Sequence, residues 1–142
     1  MAIKHPKKRR VKGALGTALV LTHAKHVMAV LGKGHREKVY HKAMITALNH
    51  ARVPHRSEVI APIYFMREVV GFGRCDIIIG NLVVEFKANS RCPKATSPQL
   101  RKYMESLSTS EKKRRFRGIV VNFNQKSGRV NTYEEKCILG KH

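Results

Sequence analysis

The 142-residue sequence predicts one α/β (α+β) domain, a central mixed sheet flanked by helices. Three observations carry that expectation. Apolar residues in the first fifty positions recur at the helical period. The middle of the chain holds three strand-like runs joined by short turns. A near-continuous apolar run, Gly118 to Asn124, suits a strand buried on both faces beside a parallel neighbour.

In chain order, residues 1–13 form a basic tail, with Lys4, Lys7, Lys8, Arg9, Arg10 and Lys12 around Pro6. Such a run cannot pack and is expected to be disordered. It resembles a nuclear localisation signal, and the same residues could grip phosphates instead. Residues 14–142 form the single domain. A first helix is expected over 15–31, its stripe running through Leu15, Ala18, Leu19, Thr22, Lys25/His26, Ala29 and Val30, and Gly32-Lys33-Gly34 ends it. His23 and His26 lie three apart, but without a third ligand they read as solvent-facing or capping residues. A second helix, 35–51, has Val39, Tyr40, Ala43, Met44, Ala47 and Leu48 on its apolar face. Glu37 borders that face and could pair with Arg36, Lys38 or His41.

Strands follow at 57–65, at 69–79 and at 82–88, an antiparallel meander. Pro62 suits an edge or a bulge. Gly80-Asn81 is the two-residue loop of the second hairpin. Ile79 then pairs with Leu82 and Ile78 with Val83, and counting back sets Asp76 opposite Glu85. Lys87 shares the face of Glu85, because strand side chains alternate. Two facing carboxylates repel, and a bound divalent cation would relieve them. A simple ion pair of either acid with Lys87 is the other reading of the hairpin.

Residues 89–98 are a loop. Pro98-Gln99 opens a third helix to about Leu107, with Ser97 as N-cap and Leu100, Tyr103, Met104 and Leu107 buried. Residues 108–117 read as an exposed loop, and Lys112, Lys113, Arg114 and Arg115 are suited to backbone phosphates. Val130 to Ile138 is a last strand.

Composition narrows the functional classes. Apolar residues make up 42 %, so the chain folds, yet 29 Lys and Arg face nine Asp and Glu, a net charge of +20. Self-repulsion on that scale points to a polyanionic partner, most simply nucleic acid. Three cysteines without a CxxC pair argue against a disulfide framework or a zinc module. The most apolar N-terminal stretch is broken by His23, Lys25 and His26, so no membrane span or membrane partner is expected. The expected location is intracellular, with a nucleus or virion suggested by the tail.

Several motifs fall on this order. Gly34-His-Arg-Glu37-Lys-Val-Tyr40 matches GxxExxY, Asp76 followed by Glu85-Phe-Lys87 matches D…ExK, and Gln99-Leu-Arg-Lys-Tyr103 matches QxxxY. Together they resemble the GxxExxY family of the PD-(D/E)XK nuclease superfamily, over residues 20 to 125. The resemblance implies a restriction-endonuclease-like core and a metal-dependent nuclease cutting DNA. Glu37, Asp76 and Glu85 would surround Mg²⁺ (Mn²⁺ could replace it), and Lys87 would act on the attacking water or the transition state. Tyr40, Gln99 and Tyr103 would support the site or contact the substrate. A homodimer is the form expected of an enzyme that cuts both strands. Cys75 stands where the superfamily's name leads one to expect proline. The alternative is a non-catalytic DNA-binding or packaging protein, virion or chromatin associated, on the same fold.

Overall fold

A computed structural model describes residues 13–95, 98–110 and 115–138, with side chains over 16–95, 98–108 and 115–135. Helices α1 (Gly13–Leu31) and α2 (Glu37–His50) precede strands β1 (Arg56–Phe65), β2 (Glu68–Ile79) and β3 (Leu82–Lys87). Helix α3 (Pro98–Ser110) leads to β4 (Phe116–Phe123) and β5 (Val130–Ile138). The five strands lie side by side in chain order, antiparallel except for β3 and β4, which are parallel. That exception follows from α3, which carries the chain across the sheet between them.

The sheet separates two cores. On one face α1 and α2 pack over Ile77, Ile79, Leu82, Val84, Phe86, Ile119, Val121 and Phe123. On the other α3 packs over Ala61, Cys75, Ile78, Val83, Phe116 and Val120. Covering on both sides explains why β3 and β4 read as continuous apolar runs.

Helix α1 buries a different stripe from the expected one. Val20, Ala24, Val27 and Met28 are inside, whereas Ala18, Thr22, Lys25, His26, Ala29 and Val30 are exposed. The helix is apolar around much of its circumference, so periodicity admits more than one face. Helix α2 buries Tyr40, Met44 and Leu48 of its expected apolar face, whereas Val39, at the edge of that stripe, is exposed.

A second correction concerns the expected loop at 108–117. Helix α3 continues to Ser110 and β4 begins at Phe116. Ser108 is 1 % exposed and Phe116 is fully buried among the α3 contacts. The basic residues around Phe116 masked its apolar role. Lys112, Lys113 and Arg114, the tail residues Lys7, Lys8, Arg9 and Arg10, and the expected cap Ser97 lie outside the described residues. Arg115 is exposed, and its carbonyl accepts a hydrogen bond from Asn81 Nδ2 at 3.2 Å.

Close approach of α3 to β4 depends on Gly118. A Cβ there would meet Met104 Sδ at 2.5 Å and Leu100 at 3.2 Å, both side chains buried. Gly118→Ala is expected to cost about 1–3 kcal/mol by overpacking, read as a lower midpoint in urea with an unchanged slope. A midpoint equal to wild type would show that α3 shifts freely.

Candidate active site in the cleft between β2 and β3

The β2–β3 ladder starts as the sequence implied, with Ile79 opposite Leu82, Ile78 opposite Val83 and Ile77 opposite Val84. It then stops. The position after these pairs belongs to Asp76 and Glu85, and there the backbone bond is replaced by a side chain: Asp76 Oδ2 accepts the Phe86 N–H at 2.8 Å. The strands therefore part at the acidic pair.

Strand β2 also changes sides there. Cys75 packs in the α3 core and Ile77 in the α1–α2 core. Regular alternation would put residues two apart on one face. Across on β1, Glu58 falls between the Ser57–Ile77 and Val59–Cys75 pairs and has φ +51°, a left-handed backbone uncommon for a residue with a Cβ. The sheet is thus distorted on both sides of Asp76.

Into this opening several elements send side chains. One pocket is lined by Glu37 from α2, by Arg74, Cys75 and Asp76 from β2, by Val83, Val84, Glu85 and Lys87 from β3, and by Gln99, Leu100 and Tyr103 from α3. The structure brings together Glu37, Asp76, Glu85, Lys87, Gln99 and Tyr103, six of the seven residues that the motifs singled out. Lys87 Nζ stands 3.6 Å from Glu85 Oε1, so the ion pair of the simpler reading is present within the pocket. The Tyr103 hydroxyl receives the Gln99 side-chain N–H and, at 3.2 Å, the backbone N–H of Arg74. This ties α3 to β2 two residues before Asp76.

Tyr40, the seventh, is not in the pocket wall. It is fully buried, stacks on Phe123 at 4.5 Å and donates its hydroxyl proton to the Gly32 carbonyl at 2.7 Å. Gln125 Nε2 donates to the same hydroxyl, while Gln125 Oε1 accepts the Gly34 N–H. Tyr40 thereby fixes the turn that leads into Glu37. Its placement is that of a support for the site and not of a substrate contact.

Electrostatics mark the pocket as one unit. The Glu37 carboxyl is raised above its ordinary 4.5, chiefly because part of its hydration is lost; Asp76 and Glu85 push it further up, against the pull of Lys87 and His41. Glu37 as a whole residue is exposed, so this cost is screened. The folded chain binds this proton more tightly than the unfolded chain does. The ionised form therefore costs stability as pH climbs from the ordinary value through the raised one. Glu37→Gln is expected to raise the Tm in chelator at neutral pH, with the difference vanishing below pH 4.5. Melts at both pH values check this, and a Tm lowered at neutral pH would contradict it. Cys75 is no nucleophile: burial, with the Asp76 charge behind it, pushes its thiol up to about 12.

Two pocket neighbours escaped the sequence reading as site residues. Arg74, exposed at the rim, lies two positions before Asp76, a spacing that could have flagged it. His41, one helical turn beyond Glu37, lies with Nδ1 3.9 Å from Asp76 Oδ1 and its ring tilted over Phe86. Its Nε2 is buried without a partner. The i, i+4 spacing suggested a pairing with Glu37, and the fold offers Asp76 as well.

Three carboxylates around one opening are hard oxygen donors of the kind that Mg²⁺ or Mn²⁺ takes. In their recorded positions no three His, Cys, Asp or Glu side chains among the described residues converge on a single ion point. The donor chemistry of these carboxylates is of the type that fits a divalent cation. No helix of the described residues is long and apolar enough to cross a membrane.

Comparison with known proteins gives the superfamily. No curated protein matches the chain. A solved structure described as SSO0001 aligns with 69 % of this chain at 23 % identity and a TM-score of 0.41. The chain spans about half of that protein, 48 % of its length. A profile of the PD-(D/E)XK nuclease superfamily matches residues 16–133, from α1 into β5. That span holds every residue of the cleft, and by it the chain belongs to the PD-(D/E)XK nuclease superfamily.

Proposed function

We propose that the protein is a metal-dependent nuclease that hydrolyses phosphodiester bonds in DNA, and that within the superfamily it falls in the GxxExxY family. The carrying observation is the convergence of Glu37, Asp76, Glu85 and Lys87 where β2 and β3 part. Glu37, Asp76 and Glu85 would hold Mg²⁺ or Mn²⁺. When bound, such an ion supplies charge stabilisation at the phosphate and a more acidic water. Lys87, beside Glu85, orients the attacking water or neutralises charge building on the phosphoryl oxygens. Arg74, which lines the rim of the cleft, would hold a flanking phosphate. The +20 charge supports a long polyanionic substrate, drawn in by a field that falls with salt.

The test is a cleavage assay on supercoiled and linear DNA with Mg²⁺, Mn²⁺ or chelator, beside Glu85→Ala. Metal-dependent cutting that the variant loses supports the reading. Tight, salt-sensitive binding without cutting under any metal would favour a packaging protein, the reading that the charge alone suggests.

A further inference from the structure

The β1–β2 hairpin continues well past the part that α3 covers. Ala61 is fully buried there, and Ser106 Oγ donates to the Pro62 carbonyl at 3.0 Å. Beyond that contact, all residues from Ile63 to Val70 are exposed, whichever face they point to. Eight of the ten large hydrophobic side chains exposed among the described residues lie in this one hairpin. The most open are Met66 at 81 %, Phe72 at 70 %, Phe65 at 65 % and Val70 at 61 %, with Ile60 and Tyr64 beside them.

By register and strand parity Ile60, Phe65, Val70 and Phe72 share one face, with Met66 at its apex, and at roughly 150–250 Å² for a large side chain these five present roughly 500–800 Å². The largest apolar patch of an ordinary monomer is about 300–600 Å². A stable interface uses about 800 Å² from each partner. The turn at the tip is also unusual. Met66 and Arg67 both have left-handed backbones, φ 49° and 68°, where Asn and Gly are preferred. An apolar residue is thus held at the apex at a backbone cost.

Charge indicates what covers the patch. Of the 29 Lys and Arg, only Arg67 falls within residues 57–73, against Glu58 and Glu68 of the nine acids. On a chain of +20 this hairpin carries no basic excess, and so is a poor place for a phosphate backbone. It is a surface on which two copies can meet without strong repulsion. Arg67 and Glu68 are adjacent, so a twofold axis near the tip lets each pair with its counterpart across the contact. Strand addition at the free edge of β1 is disfavoured by Pro62 and by the left-handed Glu58, which leaves the faces of the hairpin to make the contact.

We infer that the exposed β1–β2 hairpin is a homodimer interface, formed by the apolar faces of two hairpins around Phe65, Met66 and Phe72. Strand β2 runs from this patch straight to Asp76. A dimer built there holds a second cleft at a fixed span from the first, as cutting two strands requires; that consequence, though not the dimer, rests on the proposed nuclease activity.

Sedimentation velocity on the full chain tests it, in high salt with nucleic acid removed, from low to high micromolar protein. The expected result is a mass twice the 16.1 kDa of the chain, and a monomer for Phe65→Asp/Phe72→Asp with an unchanged circular dichroism spectrum. A wild type that stays monomeric throughout, or a variant that folds and remains dimeric, overturns the inference. Should the variant fail to fold, hydrogen exchange on the wild type decides. Amides of residues 60–72 become more protected as protein concentration rises if the hairpin is the interface. Protection that is independent of concentration, or that appears only with DNA, overturns it.

Discussion

Asp76→Asn is expected to reduce DNA cleavage by on the order of 10³-fold, the scale of losing a charge that acts at the transition state, while DNA binding and Tm stay close to wild type. The physical basis is the double role of this carboxylate. One oxygen accepts the Phe86 N–H at 2.8 Å, in the place of the ladder bond that β2 no longer makes. The other faces His41 across 3.9 Å at the cleft. Asparagine keeps an acceptor for Phe86 and removes the charge. Asp76→Ala removes both, and it leaves a part-buried backbone donor unpaired, a further cost of about 1–3 kcal/mol in stability. Cleavage, filter binding and urea melts on the two variants separate the roles. Equal stability of the two would show that the Phe86 bond contributes nothing. Loss of DNA binding in Asp76→Asn would show instead that the residue holds substrate.

The second large effect comes from a residue with no functional group. Gly73→Ala places a Cβ inside the space of the Tyr103 ring. Tyr103 is 5 % exposed, and its hydroxyl is bonded to Arg74 N–H and to the Gln99 side chain, so the ring has little freedom to yield. The clash is expected to cost about 1–3 kcal/mol and to lower cleavage roughly 10–100-fold through misplacement of the cleft wall. Tyr103→Ala empties the contested space. In a double-mutant cycle, Gly73→Ala should therefore cost clearly less on the Tyr103→Ala background than in the wild type. Additive losses in urea melts would mean that the glycine matters for another reason, such as the bend of β2.

These two residues divide what could be read in the chain from what could not. The Gly80-Asn81 loop sets its register by counting, so Asp76, Glu85 and Lys87 were legible as neighbours from local sequence. The three pairs beside the loop form as expected. That the ladder breaks at the fourth, with Asp76 taking the Phe86 N–H, was not legible, because parity assumes a regular strand. Local pattern gives Gly73 no role beyond that of a glycine within a strand. Its contact with Tyr103 spans thirty positions and exists only once α3 is laid on the sheet.

The sequence by itself determined the order of the elements, the hairpin that pairs the acids, the parallel strand at Gly118–Phe123 and the basic charge. Each of these depends on near neighbours, on turn chemistry or on composition. The tertiary structure decided which face of α1 is buried, that Phe116 belongs to the core, that Tyr40 supports the site from behind, and that His41 and Arg74 join Glu37 at the cleft. Those depend on which of several comparable surfaces is covered by a distant element. Burial energy scales with the area removed from water and is nearly indifferent to which apolar stripe supplies it. Local pattern therefore leaves the choice open until the sheet and its helices are packed together.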